Sequence, residues 1–162
     1  MATFRGTFDY TLDAKNRLTV PAKWRSSLSD GVVLAQGTAT CVSVWTPERF
    51  DAYTESMVHG LHEVDPERDR LERFFQANSH DVDLDAAGRI MIPAYLMEYA
   101  GLQKDVVVTG VRHRMEIWDR ATWKTYNAGL DINELTAPFR AQSSTPPPLP
   151  PAGPSFVPEP PT

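Results

Sequence analysis

The sequence of 162 residues predicts an α+β protein that is mainly β, built from two pseudo-symmetric units and followed by a disordered proline-rich tail. Three observations lead to this prediction. A motif near the N-terminus recurs in the second half of the chain, and alternating apolar residues beside it are typical of strands. Ten of the fourteen prolines lie in residues 138–162, where apolar side chains are too few to offset the entropy of ordering.

The repeat is clearest in LDAKNRLTVPA, residues 12–22, which matches LDAAGRIMIPA, residues 84–94, at six of eleven positions. The match continues through the apolar runs VVLAQG and VVVTGV to the tryptophans Trp45 and Trp118. Two copies are fewer than a solenoid needs, so the repeat predicts a pseudo-symmetric pair.

The first unit, residues 7–50, begins with GTFDYTLD, whose alternating pattern predicts a strand. A tight turn and the short strand RLTV follow. Pro21 then suits the first turn of a helix, because a missing N–H costs nothing there. The runs VVLAQG and CVSVW predict a hairpin, and Thr46-Pro47-Glu48 is typical of a helix start.

Residues 51–78 are predicted to form a helical linker, in which Asp65 caps a helix and Pro66 lies just inside it. The second unit, residues 79–122, repeats the order of the first. Gly101 is placed to end its helix in the left-handed conformation. The tail, residues 138–162, is predicted to be a solvated extension with polyproline-II character.

The net charge of −5 argues against indiscriminate binding of nucleic acid, but the charges are unevenly distributed. Residues 1–25 hold five basic side chains against two acidic ones, whereas residues 51–85 hold ten acidic and three basic ones. A local basic face, rather than the total charge, decides whether a phosphate backbone is attracted.

The single cysteine, Cys41, cannot form an internal disulfide and lies in an apolar run. This favours a buried thiol in a reducing compartment. No stretch is long and apolar enough to span a membrane, and the N-terminus lacks the apolar core of a secretory signal. We therefore expect a cytoplasmic protein with no membrane partner.

The repeated turns, DAKNR and DAAGR, share three features. Each starts with an aspartate that can accept backbone N–H bonds, has a residue type at position four that tolerates positive φ, and ends on an arginine. In the order aspartate, fourth residue, arginine, these are Asp13, Asn16 and Arg17 in the first turn and Asp85, Gly88 and Arg89 in the second.

The two arginines have two interpretations. Each can form an ion pair with its own aspartate, which contributes only about 0–1 kcal/mol when exposed. Alternatively, Arg17 and Arg89 can present planar guanidinium groups to phosphates or to guanine edges. Both can hold together, because an aspartate can orient its arginine.

Catalytic and metal-binding patterns are weak. Asp81, Asp83 and Asp85 share a strand face but lack the spaced ligands of a Ca²⁺ loop. His59 and His62 are separated by a flexible glycine and have no partner cluster. The possible nucleophiles also lack a nearby histidine pattern; they are Ser26, Ser27 and Cys41. We therefore predict no enzyme activity, no metal and no cofactor.

LDAKNRLTVPAKWR and LDAAGRIMIPAYLMEYAGL resemble the two signature blocks of the MraZ family of transcriptional regulators. The flanking segments FRGTFDYTLD and KDVVVTGVRHRMEIWD agree, and the resemblance covers about residues 4–126. It implies two SpoVT-AbrB-type swapped-hairpin units that form a small barrel in one chain.

The resemblance also implies that an Asp-x-x-x-Arg loop in each half reads double-stranded DNA. The DNA-binding residues would be Arg17 and Arg89 on bases, Lys15 and Arg5 on phosphates, and Asn16 in the first loop, with Asp13, Asp85 and Gly88 organising the loops. Because the second loop has Ala86-Ala87 and lacks a lysine, the first half is expected to supply more phosphate contacts.

The implied targets are short direct repeats upstream of the division and cell-wall gene cluster, including the protein's own promoter. The implied assembly is a homo-oligomeric ring associated with the nucleoid. The alternative is an antitoxin-like or scaffolding interaction module without specific DNA readout.

Overall fold

The computed structural model describes residues 3–143. Within these residues, eight antiparallel strands form a six-stranded sheet in the order β1-β7-β8-β4-β3-β5 and a separate two-stranded ribbon, β2-β6. The strands are β1 (Thr7–Thr11), β2 (Arg17–Thr19), β3 (Val32–Gln36), β4 (Val42–Trp45), β5 (Ser79–Val82), β6 (Arg89–Met91), β7 (Asp105–Val111) and β8 (Arg114–Asp119). The helices are α1 (Pro47–Val58), α2 (Pro66–Glu72), α3 (Ala94–Tyr99), α4 (Arg120–Ala128) and α5 (Ile132–Ser143).

The strand order of the large sheet confirms the predicted pseudo-symmetric pair. When the repeat copies are matched, β1 corresponds to β5, β7 to β3 and β8 to β4, so the order reads the same from either edge. Moreover, β1 of the first copy pairs with β7 of the second, and β5 of the second pairs with β3 of the first. The first strand of each unit therefore completes the hairpin of the other, as a swapped hairpin requires.

Two apolar clusters fill the interior. The larger one lies between the sheet and the ribbon and includes Leu18 and Ile90, which are almost completely buried. The smaller one packs Trp45 and Phe50 of the first unit against Phe75, which follows α2. Full burial of one such side chain contributes about 1.5–3 kcal/mol, so these clusters are a major source of stability.

The helix predicted after Pro21 differs from the structure, which has two short 3₁₀ turns, Ala22–Trp24 and Ser26–Leu28. Serine side chains compete for backbone groups and favour turns over continuous helix. Here the Ser29 hydroxyl donates to the Ser26 carbonyl at 2.9 Å. The predicted apolar face is nevertheless retained, because Trp24 and Leu28 are both buried.

Three predicted helix signals are confirmed. The Thr46 side chain accepts from the Arg49 N–H at the start of α1, and Asp65 accepts from the Glu67 N–H at the start of α2. Gly101 has φ +60° just after α3. Beyond Glu72 the linker helix continues as a π turn, Arg73–Ala77.

The predicted start of disorder at residue 138 is wrong, because α5 continues through Pro138 to Ser143. Its first turn is held by Asp131, whose side chain accepts from the Asn133 N–H and whose carbonyl accepts from the Leu135 N–H. A proline in a helix interior removes one N–H donor, and it can kink a helix without ending it. The remainder of the predicted tail, residues 144–162, lies outside the described residues.

The helix α5 belongs to a compact unit that begins at Ala128 and is distinct from the part of the chain that holds both repeat copies. Within residues 3–143, no helix is long and apolar enough to cross a membrane.

Candidate nucleic-acid interface

The ribbon β2-β6 brings the two repeated turns together. Leu18 pairs with Ile90 at its centre, and these two side chains are buried. Because neighbouring residues of a strand point to opposite faces, the residues on either side of them point outward. Arg17 pairs with Met91, and Thr19 pairs with Arg89, so both arginines lie on one outward face.

The first turn is closed by the Asp13 carboxylate. Its Oδ1 atom accepts from the backbone N–H groups of Lys15 and Arg17, both at 2.9 Å. Its Oδ2 atom accepts from Arg17 Nε at 2.6 Å. Asn16, whose N–H donates to the Asp13 carbonyl, has φ +56°, so the predicted left-handed residue is confirmed.

The second turn repeats this arrangement atom for atom. Asp85 Oδ1 accepts from the N–H groups of Ala87 and Arg89 at 2.9 Å, and its Oδ2 accepts from Arg89 Nε at 2.9 Å. Gly88 has φ +73° and its N–H donates to the Asp85 carbonyl. The two turns, which start 72 positions apart at Asp13 and Asp85, therefore have the same pattern of hydrogen bonds.

These hydrogen bonds change the acidity of both carboxyl groups. The pKa of Asp13 lies below its usual value of 3.8, mainly because the Arg17 N–H donates to the charged form. The pKa of Asp85 is lowered in the same way by the Arg89 N–H. Burial acts in the opposite direction in each turn and is outweighed. Both aspartates are therefore charged at neutral pH.

The aspartates also determine which atoms of the arginines are available. Each carboxylate occupies Nε, one edge of the guanidinium plane, while the two terminal nitrogens lie at the far end of the group. The side chains of Arg17 and Arg89 are 30% and 32% exposed. A guanidinium held in this way can donate two parallel bonds end-on to a pair of acceptors.

The two turns are bonded to each other. The Val20 N–H donates to the Gly88 carbonyl at 2.9 Å, and the Ile92 N–H donates to the Asn16 carbonyl at 3.0 Å. In addition, Arg89 Nη1 lies 3.8 Å from Asp13 Oδ2. The spacing between the two arginines is thus set by backbone bonds in both directions.

The other predicted binding residues are not all brought together. Lys15 and Asn16 are exposed on the first turn. Arg5 is exposed at the opposite end of β1, beside Gly110 and Arg112, and the five-residue strand between them spans about 17 Å. A phosphate contact by Arg5 stays a prediction, and it would lie apart from the turns.

The sequence analysis missed three residues next to the turns. Met91 and Thr19 share the outward face with the arginines, and alternation within RLTV and RIMI could have placed them there. Met91 is 53% exposed, so its side chain is accessible on this face. Arg25 lies against Gly88 of the second turn, a contact for which the sequence carries no local signal.

The interleaved strands and the paired turns define a swapped-hairpin protein of the SpoVT-AbrB class, with both units in one chain. Comparison with known families gives a match to the family described as "MraZ protein, putative antitoxin-like", once over residues 3–74 and again over residues 75–143. The chain belongs to the MraZ family, which confirms the resemblance found in its motifs.

Several curated relatives carry the name "Transcriptional regulator MraZ". The protein from Acetivibrio thermocellus is 36% identical over 130 residues, which cover 80% of this chain and 90% of that protein. The protein from Micrococcus luteus is 40% identical over 125 residues, covering 77% and 87%. The protein from Cutibacterium acnes is 38% identical over 124 residues, covering 76% and 87%.

Proposed function

We propose that this protein is a transcriptional regulator that binds specific double-stranded DNA sequences through its two Asp-x-x-x-Arg turns. The observation that carries the proposal is the pair of aspartate-braced arginines, whose guanidinium groups lie on one face of one ribbon. The names of the relatives support a role in transcription. The protein acts in the cytoplasm, at the nucleoid.

The ribbon enters the major groove, which is about 12 Å wide and admits two antiparallel strands. Arg17 and Arg89 donate end-on to O6 and N7 of guanine, the commonest specific contact of an arginine. Met91 lies directly across from Arg17 on the same face and is suited to the methyl group of thymine. Thr19, at the pseudo-symmetric position, offers a hydroxyl in place of that apolar contact.

Backbone contacts differ between the two turns. Lys15 is exposed on the first turn, and Lys104 lines the groove beside it. The second turn has Ala87 instead of the lysine, and the groove beside the preceding strand is lined by acidic residues, including Asp30 and Asp83. Of the two turns, the first therefore attracts phosphates more strongly through its own residues, because only the first turn contains a lysine.

Direct repeats upstream of the division and cell-wall gene cluster, including the protein's own promoter, are the proposed sites, as the family resemblance implies. A homo-oligomeric ring places several ribbons along one duplex. Weak single contacts then sum, because each bound subunit raises the effective concentration of its neighbour at the next repeat. This arrangement suits a chain whose net charge is −5.

The test is a titration of the full chain against a duplex that carries the direct repeats from its own upstream region. A scrambled duplex of equal length and composition serves as the control, and both are measured at two salt concentrations. We expect tighter binding to the repeats, with affinity that rises steeply with repeat number. Equal and salt-sensitive binding to both duplexes would contradict specific readout, and no binding to either would favour the antitoxin-like interaction module.

A further inference from the structure

The two turns carry different charges in spite of their identical hydrogen bonds. The third position is Lys15 in the first turn and Ala87 in the second. The Lys15 side chain is exposed, and within residues 3–143 it forms no ion pair. A phosphate near the first turn therefore finds a free cation, whereas the second turn has none in its own sequence between Asp85 and Arg89.

Arg25 places a cation from the first unit directly on the second turn. Its Nε atom donates to the Val20 carbonyl at 2.9 Å, and Val20 in turn donates its N–H to Gly88. A methyl group built on Gly88 would lie 2.7 Å from Arg25 Cδ and 2.8 Å from Cζ. The guanidinium group is thus packed against the backbone of the turn, in space that a side chain at position 88 would occupy.

The charge of Arg25 is not compensated locally. Its Nε bond is made to a neutral carbonyl, and no carboxylate in the described part of the chain forms an ion pair with it. The side chain is half-buried rather than enclosed. Because the carbonyl fixes the Nε edge, the two terminal nitrogens are held at the far end of the group, where an anion can accept from them.

The corresponding position near the first turn is neutral. The offset that aligns Leu12 with Leu84 aligns Arg25 with Met97. Met97 lines the groove beside the first turn, together with Asp13 and Asn16. The first turn therefore has Lys15 within it and Lys104 in the groove beside it, whereas the cation on the second turn is Arg25, supplied by the other unit.

We propose that Arg25 is a DNA-binding residue that donates to a backbone phosphate at the second turn and replaces the lysine which that turn lacks. The inference rests on the proposed function, because it assumes that the turns meet DNA. A phosphodiester carries no sequence information, so the contact positions the ribbon and adds to affinity without changing base preference.

The test compares Arg25→Met, which copies the neutral neighbour of the first turn, with the double variant Arg25→Met/Ala87→Lys, which restores a cation within the second turn. The full chain is titrated against the repeat duplex and the scrambled duplex over a range of salt. We expect Arg25→Met to weaken both complexes by a similar factor. The slope of the logarithm of the association constant against the logarithm of the salt concentration should become shallower by about 0.9 for each bound subunit, because each subunit loses one phosphate contact at its second turn.

We expect the double variant to recover the wild-type slope. Lys15→Met is the matched control in the first turn and should produce the same loss of slope. An Arg25→Met variant with an unchanged salt slope overturns the inference. Loss of binding that Ala87→Lys does not restore also overturns it, because Arg25 then acts by holding the turn. If the wild-type chain binds neither duplex, the proposed function itself fails.

Discussion

The N–H of Ile92 donates to the carbonyl of Asn16 at 3.0 Å, so the strand that leaves the second turn is bonded to the first turn. The reciprocal bond joins Val20 to Gly88. Neither turn is therefore positioned by its own unit alone. The two bonds keep both arginines on one face, which is the geometric condition for reading adjacent bases with a single ribbon.

Replacing Arg17 or Arg89 by lysine should show whether DNA recognition needs the planar guanidinium group or only its positive charge. Lysine keeps the positive charge but lacks the planar pair of donors. We expect each variant to lose about 1–3 kcal/mol of discrimination per site between the repeat and the scrambled duplex, while binding to the scrambled duplex changes little. Competition binding with both duplexes measures this. Arg70→Lys, at an exposed arginine paired with Glu67 on α2, is the matched control.

An Arg17→Lys variant that discriminates as well as the wild type would show that base readout does not use the guanidinium plane. Circular dichroism and thermal unfolding of the same samples check that the fold is retained. The aspartate pairs are exposed enough that their loss should cost stability only slightly.

Gly88 should be far less replaceable than Asn16, although both have positive φ. Gly88→Asn keeps a residue type that tolerates this conformation, but its Cβ would collide with Arg25. The Arg25 side chain can move aside, so we expect Gly88→Asn to lower the free energy of unfolding by about 0.5–1.5 kcal/mol, the contribution of the Arg25 to Val20 hydrogen bond that the movement breaks, and Asn16→Gly to have a smaller effect. Urea denaturation measures both.

The double variant Gly88→Asn/Arg25→Ala tests the cause of that loss. If the collision is responsible, removing the Arg25 side chain should recover part of the stability, and the two changes should be non-additive. Additive losses would instead assign the whole effect of Gly88→Asn to the backbone.

The two turn aspartates, Asp13 and Asp85, should titrate below the ordinary pKa of an aspartate side chain. Their folded-state pKa values are lowered, so the stabilisation they provide is complete above the unfolded-state pKa and is lost as the pH falls through the folded-state values. Carbon-detected NMR titration of the carboxyl groups measures this directly. We expect Asp13→Asn/Asp85→Asn to be less stable at neutral pH and to lose less further stability on acidification.

Removal of residues 144–162 should leave the melting temperature unchanged. The segment is rich in proline and poor in apolar residues, so it has little surface to bury against a core. The cut is placed after Ser143 because α5 extends to that residue. Differential scanning calorimetry of the full and shortened chains compares the two, and a lower melting temperature for the shortened chain would contradict the prediction.

Local features of the site were predictable from the sequence. The Asp-x-x-x-Arg turns depend on hydrogen bonds within five residues and on a fourth residue that tolerates positive φ, and both follow from residue type. The helix starts at Thr46 and Asp65 are equally local. The helix expected after Pro21 is wrong because serine side chains there favour turns, and the composition of residues 138–162 predicts too early a start for the tail because α5 continues through Pro138.

Contacts between the units were not predictable from local pattern. The swapped pairing of β1 with β7 was expected only through the family resemblance, since periodicity shows that a strand exists but not which strand it pairs with. The contact between Arg25 and Gly88 joins the two units directly, and the Val20 carbonyl of the first unit holds the Arg25 side chain in place. Such a contact depends on tertiary position, and the basic composition of residues 1–25 indicates only that a cation is available.

The exchange of first strands between the two halves has a consequence for the symmetry of a binding site. Two identical hairpin chains that assemble in this way must present identical turns, and they are suited to a palindrome. Here the partners are joined covalently, so each half can change independently, as Lys15 and Ala87 have done. The ribbon therefore has distinguishable ends, and a row of sites read by it has a direction along the duplex.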